Sequence, residues 1–303
     1  MKSLVSILTF NRIDALKETL SGLLKHCSAY DIHIVEDNGQ RDGTETFLKG
    51  PTPKLLASRI DLLAEEWDGK HLGSNIRVFL GSTNLGVAGN SNRILKLFGE
   101  GQYDHLCLMN DDLHVLGDFV NFYAHGHEDL GVGMFCFCDF TVATPAASGL
   151  PETYRWMTVN SRGYMVKLLP RMTGMMMSMT RAVFDKIGYF DARFGKFGEE
   201  HCDYTIRARF AGGINLDGQM QNCLDLEHPH LRHQDVASSV SGPERKLLDR
   251  ESYEVMSYIS KRYGQEPIYR PFFLRLPKYA GGHSGMGIPV DSLGHYAFVD
   301  VPA

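Results

Sequence analysis

Two adjacent carboxylates, Asp111 and Asp112, lie in the segment MNDDLHV at positions 109–115. They follow an apolar run, and a buried charge without a partner is costly, so the pair requires solvent, strong donors or a cation. Hard oxygen ligands suit Mg²⁺ or Mn²⁺, ions that keep part of their water and take phosphate oxygens from a bound substrate. A solvated turn with a helix cap would account for the same pair. GEEHCD at 198–203 sets Glu199, Glu200 and His201 side by side. These types suit proton transfer near neutral pH, and acids at a helix N-terminus are the plainer account. LEHPHLRH places His228, His230 and His233 within six residues behind another apolar run. An isolated histidine there would be structural; three together favour a cation site, and imidazole suits Mn²⁺ better than Mg²⁺.

These residues need a frame, and the first half of the chain supplies a regular one. Leu4 to Phe10 is an aliphatic and β-branched run. From Asp14 to His26 the apolar positions Leu16, Leu20, Leu23 and Leu24 recur at helical spacing, with Asp14 placed to cap. Asp31 to Val35 predicts a second strand, followed by the turn formers DNGQRDGT; residues 44–65 are helical in parts but contain Pro51 and Pro53. Ile76 to Leu80 predicts a third strand, Val87 to Phe98 a helix, and His105 to Met109 a fourth strand apolar on both faces. This alternation predicts a doubly wound α/β sheet, with ligands beyond the carboxyl ends of its strands. The polar residues just after Phe10, Val35, Leu80 and Met109 are therefore the ones placed for binding. From about residue 131 the pattern is less regular. Strand-like pieces lie around Val132–Phe140, with helices predicted over Ala182–Ile187, Asp203–Phe210 and residues 243–263. A soft boundary falls near 241, and the last forty residues carry no clear period.

Composition excludes other classes. The 303 residues are 43% hydrophobic and 22% charged, with 31 basic side chains against 36 acidic. That is too apolar for a disordered chain, and a net charge of −5 argues against a clamp on long duplex phosphates. No run approaches the ~18–20 apolar residues of a membrane-spanning helix. MKSLVSILTFNR reads as a first strand and not a signal peptide. The six scattered cysteines make no four-thiolate zinc pattern and predict reduced thiols in a cytoplasmic setting.

LTFNR at the first strand end, VEDNGQRDGT after the second, NLGVAGNSNRIL after the third, MNDDLHV after the fourth and GYFDARFGKFGEEHCDYTIRAR further on occur in a telling order. Taken together, over roughly residues 3–235, they resemble the family 2 glycosyltransferases of the GT-A fold. The resemblance implies a GT-A catalytic domain over 1–240, with residues 1–115 binding the nucleotide and 116–240 the acceptor. A C-terminal helix and irregular tail follow over 241–303. It implies that Thr9, Phe10, Asn11 and Arg12 touch the nucleotide, that Asp37 contacts the base, and that Asn84, Gly86, Ala88 and Asn92 line the base and diphosphate. Gln40 stands where the family often has serine. The family's metal-binding D-x-D motif appears as Asn110-Asp111-Asp112, its first carboxylate replaced by an amide. Asp112 is then the expected metal ligand for Mn²⁺ or Mg²⁺, and Asp111 is expected near the ribose or donor sugar.

The family's base follows a glycine-rich stretch. Alignment from Gly198 puts Glu199 and Glu200 there and makes Glu200 the base, whereas alignment back from Asp203 puts His201 in that place. His228 is the expected histidine of the metal shell, with His230 and His233 behind it and Arg232 available to the diphosphate. Met175, Met176, Met177 and Met179 read as packing. Trp156 and Tyr154 suit stacking on a sugar ring or core packing. The implied activity is metal-dependent, inverting transfer of a sugar from a nucleotide-diphosphate sugar to an acceptor hydroxyl. The acceptor classes left open are a saccharide, a lipid-linked glycan, a protein or a modified nucleic-acid base, and homo-oligomerisation through the tail is also open. Rival readings are a catalytically silent nucleotide-sugar-binding module and a sugar-phosphate nucleotidyltransferase. The latter needs a Gly-rich basic loop after the first strand, which LTFNRIDALKE lacks.

Overall fold

The computed structural model describes residues 1–37, 42–137, 139, 157–169, 174–194, 200–221 and 223–234. Glu199, Cys138, Tyr154, Trp156, the helix expected over 243–263 and the tail lie outside the described residues. In chain order the first half is β1 (Ser3–Thr9), α1 (Ile13–His26), β2 (Asp31–Glu36), α2 (Thr44–Lys49), β3 (Leu55–Arg59), β4 (Ala64–Asp68), β5 (Ile76–Gly81), α3 (Gly86–Glu100), β6 (His105–Asn110) and β7 (Leu113–Val115). The second half adds α4 (Phe119–Leu130), β8 (Met134–Phe137), β9 (Met157–Ser161), β10 (Tyr164–Leu169), β11 (Met176–Thr180), α5 (Arg181–Ile187), α6 (Glu200–Phe210), β12 (Asn215–Leu216), β13 (Gln219–Met220), β14 (Cys223–Leu226) and β15 (Leu231–His233).

An eight-stranded sheet in the order β3-β4-β5-β2-β1-β6-β11-β8 forms the frame. Its centre, β5-β2-β1-β6, is parallel, and antiparallel strands flank it on both sides. The central strands are near-continuous aliphatic runs because both faces are covered: every residue of β1 is buried, as is every residue of β6 before Asn110. Helix α1 lays Leu16, Leu20 and Leu23 on the sheet, and its first turn is capped by Asp42, whose Oδ2 accepts from Ile13 N at 2.7 Å. Strand order reverses between β1 and β6. In open α/β sheets, ligands bind outside the carboxyl ends of the strands at such a reversal.

The helical parts expected within 44–65 and the packing role of the methionine run are both found in the structure. Residues 44–65 are helical at α2 and in a 3₁₀ turn at Ile60–Leu62, and strand over β3 and the start of β4. Helix α2 stops at Lys49, Gly50 leaves it with φ 69°, and beyond Pro51 and Pro53 the chain forms the β3–β4 hairpin on the sheet edge. The methionine run lies mainly on β11, wedged between β6 and β8 with Met176, Met177 and Met179 buried. Its flexible side chains fill a strand covered on both faces, as packing requires. Outside the main sheet, β14, β10 and β9 form a three-stranded sheet, and β15 pairs antiparallel with β7. That last small pairing decides the geometry of the site.

Candidate active site

Strand β1 delivers Thr9 at its end, and Asn11 takes a left-handed backbone (φ 52°) that turns the chain into α1. Phe10 and Asn11 thereby stand at the rim, and Arg12, the first residue before the helix, points back across β6. Its Nη2 lies 2.8 Å from Asp111 Oδ1 and its Nη1 2.6 Å from Asp112 Oδ2. Thr9 Oγ1 donates to Asp111 Oδ2 at 2.7 Å. Asp111 is fully buried; burial pushes its carboxyl up to about 7, against the pull of Arg12 and Thr9. Burial also raises the neighbouring Asp112, but His233 and Arg12 outweigh it and hold that carboxyl below its ordinary value. The polypeptide turning between β6 and β7 is fixed from α1, where Thr19 Oγ1 donates to the carbonyls of Asp111 and Leu113.

The β7–β15 pairing sets His233 opposite Leu113. Gln234 N donates to Asp112 O at 2.8 Å, and His233 Nε2 comes within 3.7 Å of Asp112 Oδ2. The contact with Asp112 raises the His233 pKa. His233 N in turn donates to Asp139 Oδ2. His228 is held elsewhere. Its Nδ1 accepts from His230 N at 3.1 Å, so Nε2 carries the proton and donates to Tyr123 Oη at 3.0 Å. Tyr123 Oη donates to Asp225 Oδ1 at 2.5 Å. Both ring nitrogens of His228 are thus engaged, and stacking on Phe137 completes its enclosure. The histidine the structure brings to Asp112 is therefore His233, not His228. His230 packs against Phe122 and fills the space beside Gly117, and Arg232 is exposed on β15.

Residues expected around the base have heavy structural duties. Asp37 accepts from Leu85 N at 2.8 Å, Gly86 N at 2.7 Å and Arg93 Nη1 at 2.9 Å, which fixes the start of α3. Asn84 Oδ1 accepts from Gly86 N, and Gly86 takes φ 70° there, a conformation glycine adopts without strain. Asn92 does not face a crevice: its amide grips both sides of one peptide position, Nδ2 to Phe190 O at 2.9 Å and Oδ1 from Phe190 N at 2.7 Å. Ala88 is buried in the core.

Glu200 opens α6 and is 2% exposed; its Oε1 lies 2.7 Å from His201 Nδ1. His201 packs edge-on to Phe190, the residue Asn92 clamps, and against Gly174, where a Cβ would sit 3.1 Å from its Nδ1. Met175, the next residue, accepts through its carbonyl from Asn110 N, immediately before the carboxylate pair. The 200–201 pair and the 111–112 pair are thereby joined at one end of the sheet. Six polar atoms in these clusters are buried without a hydrogen-bond partner among the described residues: Arg12 Nε, Asp111 Oδ1 (in ion-pair contact with Arg12), Asp112 Oδ1, Glu200 Oε2, His201 Nε2 and His233 Nδ1. Such atoms need water, an ion or a ligand group as partner. Among the described residues no three His, Cys, Asp or Glu converge as a cation cage. A carboxylate with an open oxygen beside an imidazole nonetheless fits a divalent ion that takes its other ligands from phosphate and water. A cavity of about 560 Å³ lies at the opposite end of β2 and β5, where Arg77 and Arg59 are already paired with Glu66 and Glu100.

Sequence reasoning missed Thr19, Gln234, Arg93 and Asp42, all of which support the site from other elements. It gave His233 a lesser place because nothing in LEHPHLRH reveals that its end pairs with β7.

No family model and no curated protein matches the sequence. Solved structures do match the fold. S. aureus TarS 1–349 in complex with UDP-GlcNAc superposes with TM-score 0.53 at 15% identity over 86% of this chain and 66% of that one. GalNAc-T7 with UDP, GalNAc and Mn²⁺ gives 0.52 at 13% identity over 97% and 53%. A longer S. aureus TarS structure gives 0.51 at 17% identity over 87% and 40%. The chain spans less than two thirds of each of these solved chains. With its parallel core, antiparallel flank and carboxylate pair at the strand-order reversal, the chain has the GT-A glycosyltransferase fold.

Proposed function

We propose that the protein is a metal-dependent, inverting glycosyltransferase that moves a sugar from a nucleoside-diphosphate donor to an acceptor hydroxyl in one in-line displacement. The observation that carries this reading is the meeting of Asp112, with its buried open Oδ1, and His233 beyond the carboxyl end of β6, at the strand-order reversal. Asp112 and His233 would hold Mn²⁺ or Mg²⁺, which supplies Lewis-acid neutralisation of the departing diphosphate when bound. His233 takes the role first expected of His228.

Thr9, Phe10, Asn11 and Arg12 form one wall of the donor site, and Asn84 and Gly86 at the start of α3 the other. Asp37 keeps a lone pair on Oδ2 for a donor on the base. Asp111, pinned by Thr9 and Arg12, is the acid nearest the ribose or donor sugar. The acid–imidazole pair Glu200–His201 removes the proton of the acceptor hydroxyl. In this reading residues 1–115 serve the donor and 116–240 the acceptor.

Supporting the donor class, the fold neighbours were solved with UDP-GlcNAc and with UDP, GalNAc and Mn²⁺. No helix among the described residues is long and apolar enough to cross a membrane. Cys27, Cys107 and Cys136 are free, buried thiols, which supports a reducing, cytoplasmic setting. The acceptor is a hydroxyl of a saccharide, a lipid-linked glycan, a protein or a modified nucleic-acid base. A thermal-shift panel of UDP, GDP, CDP and dTDP with and without Mn²⁺ tests the proposal. One nucleotide should raise Tm by on the order of 5 °C, more with Mn²⁺ than without, since a ligand bound only to the native state stabilises it. Asp112→Asn should remove the Mn²⁺ increment. A flat response to all four nucleotides would overturn the reading.

A further inference from the structure

Glu200 and His201 are sequence neighbours on the first turn of α6, yet their side chains meet, Oε1 to Nδ1 at 2.7 Å. A carboxylate can only accept, so the proton of this bond belongs to the imidazole Nδ1. Neutral His201 then carries its lone pair on Nε2, and that atom is buried and without a partner among the described residues. The ring is held on two further sides. Phe190 contacts it edge-on at 5.5 Å between centroids and is itself anchored to α3 through both groups of the Asn92 amide. Gly174 abuts the other face, where an added Cβ would crowd the ring. Through Met175 and Asn110 this face is continuous with the carboxylate pair. A fixed tautomer, a fixed ring plane and an open lone pair are what a general base requires.

We infer that His201, through Nε2, is the base of the transfer and that Glu200 is its positioning residue. This rests on the proposed function and deepens it. As the acceptor oxygen bonds to the anomeric carbon, its proton passes to His201 Nε2. The bond from that carbon to the diphosphate oxygen breaks, and its electron pair leaves with the nucleoside diphosphate. The imidazolium so formed keeps its Nδ1–H on the Glu200 carboxylate, which balances the new charge. The protein needs no second carboxylate at the reacting hydroxyl.

The test combines a spectroscopic and a kinetic arm on the full chain. In ¹⁵N-histidine-labelled wild type, long-range ¹H–¹⁵N correlation should show neutral His201 protonated on Nδ1, assigned by the signal lost in His201→Gln. In Glu200→Gln that exclusive preference should disappear. Turnover is read as nucleotide release from UDP-glucose, UDP-GlcNAc or GDP-mannose, whichever the wild type uses. His201→Gln should lose about 10²- to 10⁴-fold in kcat at unchanged donor KM, and Glu200→Gln should lose on the order of 10²-fold with the same unchanged KM. Wild-type His201 protonated on Nε2, or His201→Gln retaining kcat within about tenfold while Glu200→Gln is inactive, would overturn the inference and make Glu200 the base. Absence of both nucleotide binding and turnover in the wild type would instead sink the proposed function, a result the tautomer signal does not depend on.

Discussion

Arg12 carries more of the site than any other single side chain, because one guanidinium neutralises two adjacent buried carboxylates. Removing one partner of a buried ion pair leaves uncompensated charge, at a cost of about 3–5 kcal/mol in fully enclosed cases. Arg12 is about one-fifth exposed, so Arg12→Met should destabilise by roughly 2–4 kcal/mol in urea unfolding. Added Mn²⁺ should recover part of that loss in the variant, since a divalent ion beside Asp112 would replace the missing positive charge. Equal losses with and without Mn²⁺ would count against a cation site. The two histidines separate in the same kind of measurement. His233→Ala should weaken Mn²⁺ binding by about tenfold or more while leaving the fold nearly as stable. His228→Ala should do the reverse: it should unfold more easily, because Tyr123 and His230 lose a buried partner, yet bind Mn²⁺ as the wild type does. The residue types for this chemistry were legible in the sequence, since paired acids after an apolar strand and clustered histidines announce themselves. Which histidine reaches the acids was not, because that depends on a tertiary pairing between residues 231–233 and 113–115.

At the scale of elements, the sequence was most informative where one hydrophobic period governs a whole segment. The parallel strands and the helices α1 and α3 fell close to their expected bounds, because apolar runs covered on both faces and helical spacing each leave little choice. The β3–β4 hairpin was harder to read, since β3 is exposed on both faces and so carries no alternation, and two prolines precede it. Asn92 shows the same limit from the functional side. Its position in NLGVAGNSN suggested a ligand contact, whereas its amide instead binds α3 to the segment bearing Phe190. That clamp has a consequence beyond stability. Asn92→Ala leaves a buried N–H and a buried C=O of Phe190 unpaired, which should cost about 2–4 kcal/mol for the two groups. It should also loosen Phe190 against His201. Hydrogen exchange should then rise at Phe190 and along the first turn of α6, far from the substituted residue in sequence. Unchanged protection in α6 would show that the clamp serves α3 alone.

For the molecule as a whole, the buried histidines set how the fold responds to acid. Burial pushes His33 and His127 down to about 4 and His228 down to about 3, aided for His33 by Arg77 and for His228 by His230. His105 is lowered well below its ordinary value by burial and by neighbouring His127; its Nδ1 is bonded to Ser3, and Ser178 lies between the two rings. All four stay neutral in the folded chain over a range where the unfolded chain, with histidines near 6.5, takes up protons. The unfolded state therefore binds more protons below that value, and stability must fall as pH falls. Each such histidine contributes a slope of up to about 1.4 kcal/mol per pH unit between roughly 6.5 and its folded value. Asp111 acts in the opposite sense: raised to about 7, it is protonated in the folded state before it is in the unfolded one, so it offsets about one histidine over the same interval. His233, raised by Asp112, works in the same direction as Asp111. The four lowered histidines outweigh these two, so urea midpoints should hold steady above pH 7 and drop steeply between pH 6 and 4.5. Replacing His127 with glutamine, which offers polar groups near Ser178 and Val132 without a titrating nitrogen, should flatten that slope by about one histidine's share. A slope unaltered in that variant would place the acid sensitivity outside this buried cluster.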